Sequence, residues 1–176
     1  MTIKKFLKLQ VFALLFAAII SPLSALAGTD AKQATIEFAL GTNEVPGYKP
    51  ECASLYGGNI TGIGTGSITA NGESESLGVL SLKADDCITP DLTFTTFSAV
   101  GNLTLTAGNG HNIMASYSVN FVPTDTPPIY KYEKFTLKIT GGTGRFKGVI
   151  GNGTADGTSN IVTGLGFVEG IINISK

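Results

Sequence analysis

Residues Phe135–Thr158 read FTLKITGGTGRFKGVIGNGTADGT, and this stretch is the most informative in the chain about its fold. At its start, the apolar residues Phe135, Leu137 and Ile139 alternate with polar ones. This period of two is typical of a half-buried β-strand. The alternation ends in a glycine-rich segment at 141–144, and no helical period follows it. The stretch therefore predicts a strand that ends in a glycine-rich turn.

The rest of the chain shows the same short period. The clearest strand follows the turn signal Asn109-Gly110, where alternate residues from Ile113 to Phe121 are apolar or aromatic. A second hairpin signal is Asn71-Gly72. Further strands are predicted over residues 33–40, 67–70, 76–83, 92–107 (one strand, or two with a bend at Gly101), 132–140 and 161–174. Residues 123–128 and the Gly- and Pro-rich residues 41–66 are expected to be loops. This regular spacing favours an all-β barrel or sandwich.

The first 27 residues have the features of an export signal. Three lysines precede the apolar run 11–20, and Ala25-Leu26-Ala27 provides small residues for cleavage. The alternative is a retained membrane anchor, for which the uncharged run is short. We therefore predict a signal peptide over 1–27, one domain over 28–176 and an exported protein, either periplasmic or extracellular. No later stretch is apolar for long enough to span a bilayer.

Charge and cysteine content restrict the partners further. Loss of residues 1–27 would change the net charge from −1 to about −4, and the scattered lysines form no basic cluster of the kind that binds nucleic acid. In an oxidising compartment, Cys52 and Cys87 are expected to form a disulfide. Such a bond would contribute about 4 kcal/mol to stability by closing its loop. The alternatives are two free thiols or half of a metal site, but we expect no metal because no CxxC pattern accompanies the lone His111.

The segment 139–148, followed by Gly151-Asn152-Gly153, resembles the GGTGRF-x-G…G-x-G segment of the allene oxide cyclase and dirigent-like β-barrel superfamily, especially its small exported bacterial members. The resemblance implies an antiparallel barrel of about eight strands with an interior cavity. It also implies a homo-oligomer, because dirigent-like relatives often form trimers. In plant members, polar residues around the cavity carry the chemistry, and some members only guide the coupling of radicals made elsewhere.

We assign the motif a structural role. Its members are expected to shape a turn and return an aromatic side chain to the core; they are Gly141, Gly142, Thr143, Gly144 and Phe146. Arg145, the only arginine, could bind a ligand carboxylate or pin neighbouring loop carbonyls or an acid. A phosphate-binding loop is excluded because neither Gly-Lys-Ser/Thr nor a helix follows the glycines.

Three residues are candidates for ligand binding, namely Arg145, Tyr117 and Glu169. Tyr117 could line a pocket mouth together with Tyr130 and Tyr132. Glu169 lies in the last strand, where it points either into the barrel or to solvent; in the first case its pKa would be raised. The acids Asp85, Asp86 and Asp91 are interpreted as a solvated loop rather than a calcium site, and His111 as an exposed turn residue.

The last strand leaves one question open. Val162, Val168, Ile172 and Ile174 share a face with three glycines, at positions 164, 166 and 170. These glycines would either open a cavity or relieve crowding where a barrel wall curves. We prefer the second interpretation.

Three functions are compatible with these observations. The first is an exported, non-catalytic barrel that binds a small apolar ligand, with no cofactor. The second is a cyclase or isomerase acting on a lipid or phenolic intermediate, which would need an ionisable group inside the cavity. The third is a structural or surface-interaction protein with a filled barrel. The volume of the cavity and the ionisable groups inside it distinguish the three.

Overall fold

The fold is described from a computed structural model, which covers residues 33–176. The predicted export signal therefore lies outside the described residues. Within these residues, eight strands follow one another, and a single turn of 3-10 helix over Gly144–Phe146 lies between the sixth and the seventh. The strands are β1 (Ala34–Tyr48), β2 (Tyr56–Ala70), β3 (Glu73–Pro90), β4 (Phe97–Thr106), β5 (Asn112–Pro123), β6 (Ile129–Gly142), β7 (Ile150–Asn160) and β8 (Leu165–Ser175).

Each strand pairs antiparallel with the next one, and β8 pairs with β1 to close a barrel. The prediction of an all-β antiparallel barrel of about eight strands is confirmed. In this part of the chain, closure pairs every strand on both sides. Within residues 33–176, no helix is long and apolar enough to cross a membrane.

The expected long loop over residues 41–66 is wrong. β1 continues to Tyr48 and β2 begins at Tyr56, so only residues 49–55 connect the two strands. Five of the glycines that suggested a loop lie within β2, where neighbouring strands leave little room for side chains. A Cβ on Gly64, for example, would collide with the backbone of Ala39 in β1. Glycine here permits close packing of neighbouring strands.

Other strands also differ from the prediction. β7 was not predicted, because its sequence IGNGTADGTSN contains three glycines and few apolar residues. The predicted strand 92–107 starts only at Phe97, since Asp91 forms a loop with the residues that follow it. Both hairpin turns, at Asn71-Gly72 and Asn109-Gly110, join the strands as predicted.

The alternating residues point inward and build one core inside the barrel. Buried Ile36, Leu40 and Ile172 are among the least exposed. The glycines of the last strand share the inner face with Val168 and Ile172. A Cβ on Gly170 would lie 2.7 Å from the ring of Phe38, so at this position the glycine relieves crowding.

The two ends of the barrel differ. At one end, which we call the filled end, lie the β2–β3, β4–β5 and β6–β7 connections, and the last of these contributes the buried side chains of Phe146 and Val149 to the core. At the other end, which we call the mouth, lie the connections 49–55, 91–96, 124–128 and 161–164. The difference matters because the cavity described below opens at the mouth.

Candidate functional site

The mouth opens into a cavity with a volume of about 160 Å³. Its walls are mainly apolar and come from several strands, with Ile88, Phe97, Phe121 and Ile161 among the lining residues and with Glu44 and Ser159 as polar groups. A deeper space of about 50 Å³ shares Glu44 and Phe121 with this cavity. The deeper space adds four polar side chains, those of Thr42, Asp86, Tyr117 and Tyr132. The site is thus an apolar pocket with a polar floor.

Strand alternation explains why these polar residues point inward. On β1, Glu44 continues the inner-face series that begins with Ile36 and includes Leu40. On β3, Asp86 continues the series that contains Leu80 and Leu82. Because the side-chain period of a strand is two, an acid at an inner position is directed into the barrel whatever its polarity. Acids at these positions are therefore placed by the register of the strands.

Asp86 lies at the centre of the polar floor and is only 2% exposed. Its Oδ2 accepts a hydrogen bond of 2.7 Å from the hydroxyl of Tyr117, and its Oδ1 accepts one of 2.8 Å from the backbone N–H of Gly58. Burial raises the pKa of Asp86, while these two hydrogen bonds and the charge of Lys49 oppose the rise. Both oxygens accept hydrogen bonds, an arrangement that suits the ionised form.

Glycines make room for the carboxyl group of Asp86. Its partners in the neighbouring strands are Gly58 on β2 and Gly101 on β4. A Cβ on Gly101 would lie 2.7 Å from the Cβ of Asp86. A Cβ on Gly58 would lie 3.0 Å from Oδ1 of Asp86 and 2.6 Å from Oε1 of Glu44. The two carboxyl groups are therefore neighbours across a position that only glycine leaves open.

Glu44 is the second acid of the floor. Burial raises its pKa to about 7, and the charge of Asp86 contributes to the rise. A desolvated carboxyl beside another carboxylate retains its proton because ionisation would place a second negative charge in a poorly solvated site. At neutral pH, Glu44 is thus poised between its protonated and ionised forms.

Two tyrosines complete the floor. Burial raises the pKa of Tyr132 to about 12; the charge of Glu44 adds to the rise, and the hydroxyls of Ser159 and Thr42 oppose it. Burial and the charge of Asp86 also raise the pKa of Tyr117. Both therefore stay neutral at physiological pH. Their rings join an aromatic cluster with Phe121 and Phe135, with ring centroids 5.2 to 5.8 Å apart.

The β1–β2 connection, residues 49–55, lies against the outside of the wall behind Asp86. Its Lys49 is buried, donates to the carbonyl oxygen of Gly58 at 2.9 Å and pairs with the carboxylate of Asp85. The predicted disulfide between Cys52 and Cys87 is confirmed and fastens this connection to β3. Among residues 33–176, the only cationic side chain near the floor is therefore that of Lys49, which is bound on the outer side of the wall.

The structure separates the three residues predicted to bind a ligand. Tyr117 lines the deeper space beneath the cavity. Glu169 is exposed on the outer face of β8. Arg145 lies at the filled end, where its guanidinium forms two hydrogen bonds of 3.0 and 3.1 Å with the carboxylate of Glu75. Glu169 and Arg145 therefore do not share the cavity with Tyr117, and the alternative role for Arg145, pinning an acid, describes its contacts.

The GGTG motif forms the β6–β7 connection at the filled end. Gly141 and Gly142 end β6, and Phe146 is 2% exposed within the core. Gly144 has a φ of +57°, and a side chain there would collide with the ring of His111. The hydroxyl of Thr143 accepts a hydrogen bond from the backbone N–H of Asn112 on β5, not from its own turn. Every contact of the motif described here is structural.

The three aspartates around Cys87 point in different directions. Asp86 faces the cavity, Asp85 faces outward to Lys49, and Asp91 caps its own loop by accepting hydrogen bonds from the backbone N–H groups of Thr95 and Thr96. Interpreting all three as a solvated loop was therefore wrong for Asp86. The reason is that β3 extends past Cys87 to Pro90, which places Asp86 on the inner face.

Sequence reasoning missed Glu44 as well as Asp86. The signal for Glu44 was present, since Ile36, Phe38 and Leu40 begin an alternation that Thr42 and Glu44 continue. The glycines and prolines that follow obscured it. For Asp86, the series Leu80, Leu82 and Ala84 gives the same signal.

Comparison with known proteins adds little to this geometry. Among solved structures, the chain is similar to a pterocarpan synthase dirigent protein, with a TM-score of 0.44, 18% identity, and coverage of 92% of this chain and 98% of that chain. No protein-family profile matches the sequence, and no curated protein does. Similarity at this level carries no argument about a ligand or a reaction, so the function is argued from the cavity.

Proposed function

We propose that the protein binds one small, largely apolar molecule in the mouth of the barrel without transforming it. The observation that carries this proposal is the cavity of about 160 Å³ walled by Ile88, Phe97, Phe121 and Ile161. Apolar pockets with a few polar groups are the usual form of small-molecule sites. A barrel that served only as a scaffold would have its mouth filled like its other end.

The size of the cavity limits the ligand. A cavity of about 150 Å³ lined by aliphatic and aromatic side chains accepts benzene, so a molecule with a single ring or a short branched chain fits here. The polar floor of Glu44, Asp86 and Tyr132 would hold the polar group of such a molecule. Burial of the ring against the walls would supply most of the binding free energy.

Native mass spectrometry of the protein purified from its own host tests this proposal. We expect a bound small molecule that survives gentle ionisation and leaves on denaturation. The Ala84→Phe variant places a ring in the deeper space, which Ala84 lines, and should lose the molecule. The control is Ala39→Phe, which adds the same ring on the outer face of β1. A bare mass for the native protein, or equal occupancy in both variants, would contradict the proposal.

A second candidate is a cyclase or isomerase acting on a lipid or phenolic intermediate. It is favoured by one observation: Glu44, with a pKa of about 7, lies beside Asp86 inside the cavity. A carboxyl group near its pKa at working pH can both give and take a proton. Glu44 would exchange the proton with the ligand, and Asp86 would disfavour a second charge.

Hydrogen exchange distinguishes the two candidates. The molecule recovered from the native protein would be incubated with ligand-free protein in D₂O and followed by NMR. Catalysed proton transfer predicts deuterium incorporation or rearrangement that is lost in Glu44→Gln and retained in Glu169→Gln. An unchanged, undeuterated molecule would exclude this candidate and leave simple binding.

We also propose that the protein is exported to the periplasm or the extracellular space, as a dirigent-like member of its superfamily. The Cys52–Cys87 disulfide supports export, because such bonds persist in oxidising compartments. Fractionation of the producing cells, with detection of the chain by its mass after loss of residues 1–27, tests this. Size-exclusion chromatography with light scattering would show whether it forms the homo-oligomer that the resemblance implies.

A further inference from the structure

Provided that the proposed binding function holds, we propose that the ligand carries a protonated amine on its small apolar body. The geometry behind this inference is the convergence of two carboxyl groups, those of Glu44 and Asp86, on one side of a pocket whose other walls are apolar or aromatic. The proposed binding function by itself requires only a polar group on the ligand. The charges around the pocket select among such groups.

The residues that face Glu44 provide no positive charge. Asp86 faces it from β3, Tyr117 from β5 and Tyr132 from β6, and all three are acids or neutral donors. The nearest cation, Lys49, lies outside the wall and donates to the carbonyl oxygens of Gly58 and Asp86. Among residues 33–176, the side chains lining the two spaces include no lysine, arginine or histidine. The pocket is therefore negative and lacks a counter-charge of its own.

A negative charge in a poorly solvated site is costly unless it is paired. The raised pKa of Glu44 is one response to this cost, because the group retains a proton when no cation is present. A ligand ammonium would replace that proton as the partner of the two carboxyl groups. A ligand carboxylate would instead place another negative charge beside Asp86 and Glu44 and be excluded.

The aromatic walls favour the same class of ligand. The rings of Phe121 and Tyr132 pack edge to face, with their centroids 5.2 Å apart. Both rings line the deeper space beside Glu44. An ammonium near the face of an aromatic ring gains a further attraction from the ring quadrupole. An apolar body attached to the amine would fill the wider space between Phe97 and Ile161.

Three probes of nearly equal size test the inference, namely benzylamine, benzyl alcohol and benzoate. Their affinities for the disulfide-bonded protein would be measured by calorimetry at pH 7, in two buffers with different ionisation enthalpies. We expect benzylamine to bind at least about tenfold more tightly than benzyl alcohol, a difference of about 1.4 kcal/mol, and benzoate not to bind. We also expect benzylamine binding to release protons, and its affinity to rise as the pH increases through about 7.

The Glu44→Gln variant identifies the group responsible. It should lower the affinity for benzylamine by about tenfold, abolish proton release and weaken the binding of benzyl alcohol much less, because the amide of Gln can still form a hydrogen bond with a hydroxyl group. Glu169→Gln, on the outer face, should change none of these quantities. Retained alcohol binding would show that the Gln variant still folds with an open pocket.

The outcomes separate the two proposals. If benzyl alcohol binds as tightly as benzylamine or more tightly, the amine inference fails and the binding function stands. If benzylamine binds without proton release and equally well to Glu44→Gln, Glu44 does not pair with the ammonium group, and the inference also fails. If none of the probes binds while the host-purified protein is bare, the proposed function itself fails.

Discussion

The hydroxyl of Tyr117 on β5 donates a hydrogen bond to Oδ2 of Asp86 on β3. Strand β4 lies between them, and its residue paired with both is Gly101, which has no side chain to block the contact. The hydrogen bond therefore spans two strand spacings along the inner wall. It gives a buried carboxylate one of its two donors, and the first prediction concerns its loss.

We expect Tyr117→Phe to lower the free energy of unfolding by about 1–3 kcal/mol, because it leaves one oxygen of a buried, charged group without a partner. Loss of this donor should also raise the pKa of Asp86 further. Urea unfolding measures the first effect, and carboxyl NMR titration measures the second. Tyr130→Phe, at the mouth on β6, is the matched control, and an equal loss of stability in both variants would argue against this role.

Glu44 should make the protein less stable as the pH rises. Its pKa is about 7 in the folded state against an ordinary value of 4.5, so the folded state holds a proton that the unfolded state has lost between these limits. The stabilising proton is fully retained below pH 4.5 and is lost as the pH rises through about 7. The contribution is at most about 3 kcal/mol.

The Glu44→Gln variant should remove this pH dependence and be more stable than the native protein at pH 8. Urea unfolding at several values between pH 5 and pH 8 checks the slope, and Glu169→Gln serves as the exposed control. Parallel curves for the native and Glu44→Gln proteins would show that Glu44 is not desolvated.

Removal of the disulfide should lower the free energy of unfolding by roughly 4 kcal/mol, since Cys52 and Cys87 are 35 residues apart. The double Cys52→Ser/Cys87→Ser variant and the native protein in reductant should unfold alike. The same reductant should leave the unfolding of the double variant unchanged. Thermal unfolding followed by circular dichroism measures this, and a native protein unaffected by reductant would contradict the prediction.

The β6–β7 connection contains two glycines with positive φ, Gly144 and Gly148. Substituting each one separates the cost of backbone strain from the cost of a steric collision. Gly148 has a φ of +78° and open space around a Cβ, whereas Gly144 has a φ of +57° and the ring of His111 in the way. Gly148→Ala should cost about 1 kcal/mol from backbone strain alone. Gly144→Ala should cost at least about 1 kcal/mol more, by chemical denaturation. Equal losses would mean that His111 moves aside freely.

The fold was predictable where apolar and polar residues alternate without interruption, as in Ile113 to Phe121 of β5. It was not predictable where glycines replace inner side chains, as in β2 and β7. There the period-two signal disappears because the curved wall leaves no volume for a side chain. The same effect concealed the site. Asp86 occupies space that Gly58 and Gly101 leave free on the neighbouring strands, and the linear sequence does not show that these residues are neighbours.

Asp86 and Cys87 are consecutive, and because strand side chains alternate, one points into the barrel and the other out of it. The Sγ of Cys52 lies 3.9 Å from the backbone oxygen of Asp86. The disulfide on the outside of the barrel thus holds the wall immediately beside the buried carboxyl group of Asp86. A buried carboxylate needs hydrogen-bond donors at fixed positions, because water cannot replace them. The disulfide restrains β3 and so keeps Asp86 within hydrogen-bond distance of Gly58 and Tyr117. Two adjacent residues of β3 therefore serve both purposes: Cys87 cross-links the outside of the barrel, and Asp86 provides the buried carboxyl group inside it.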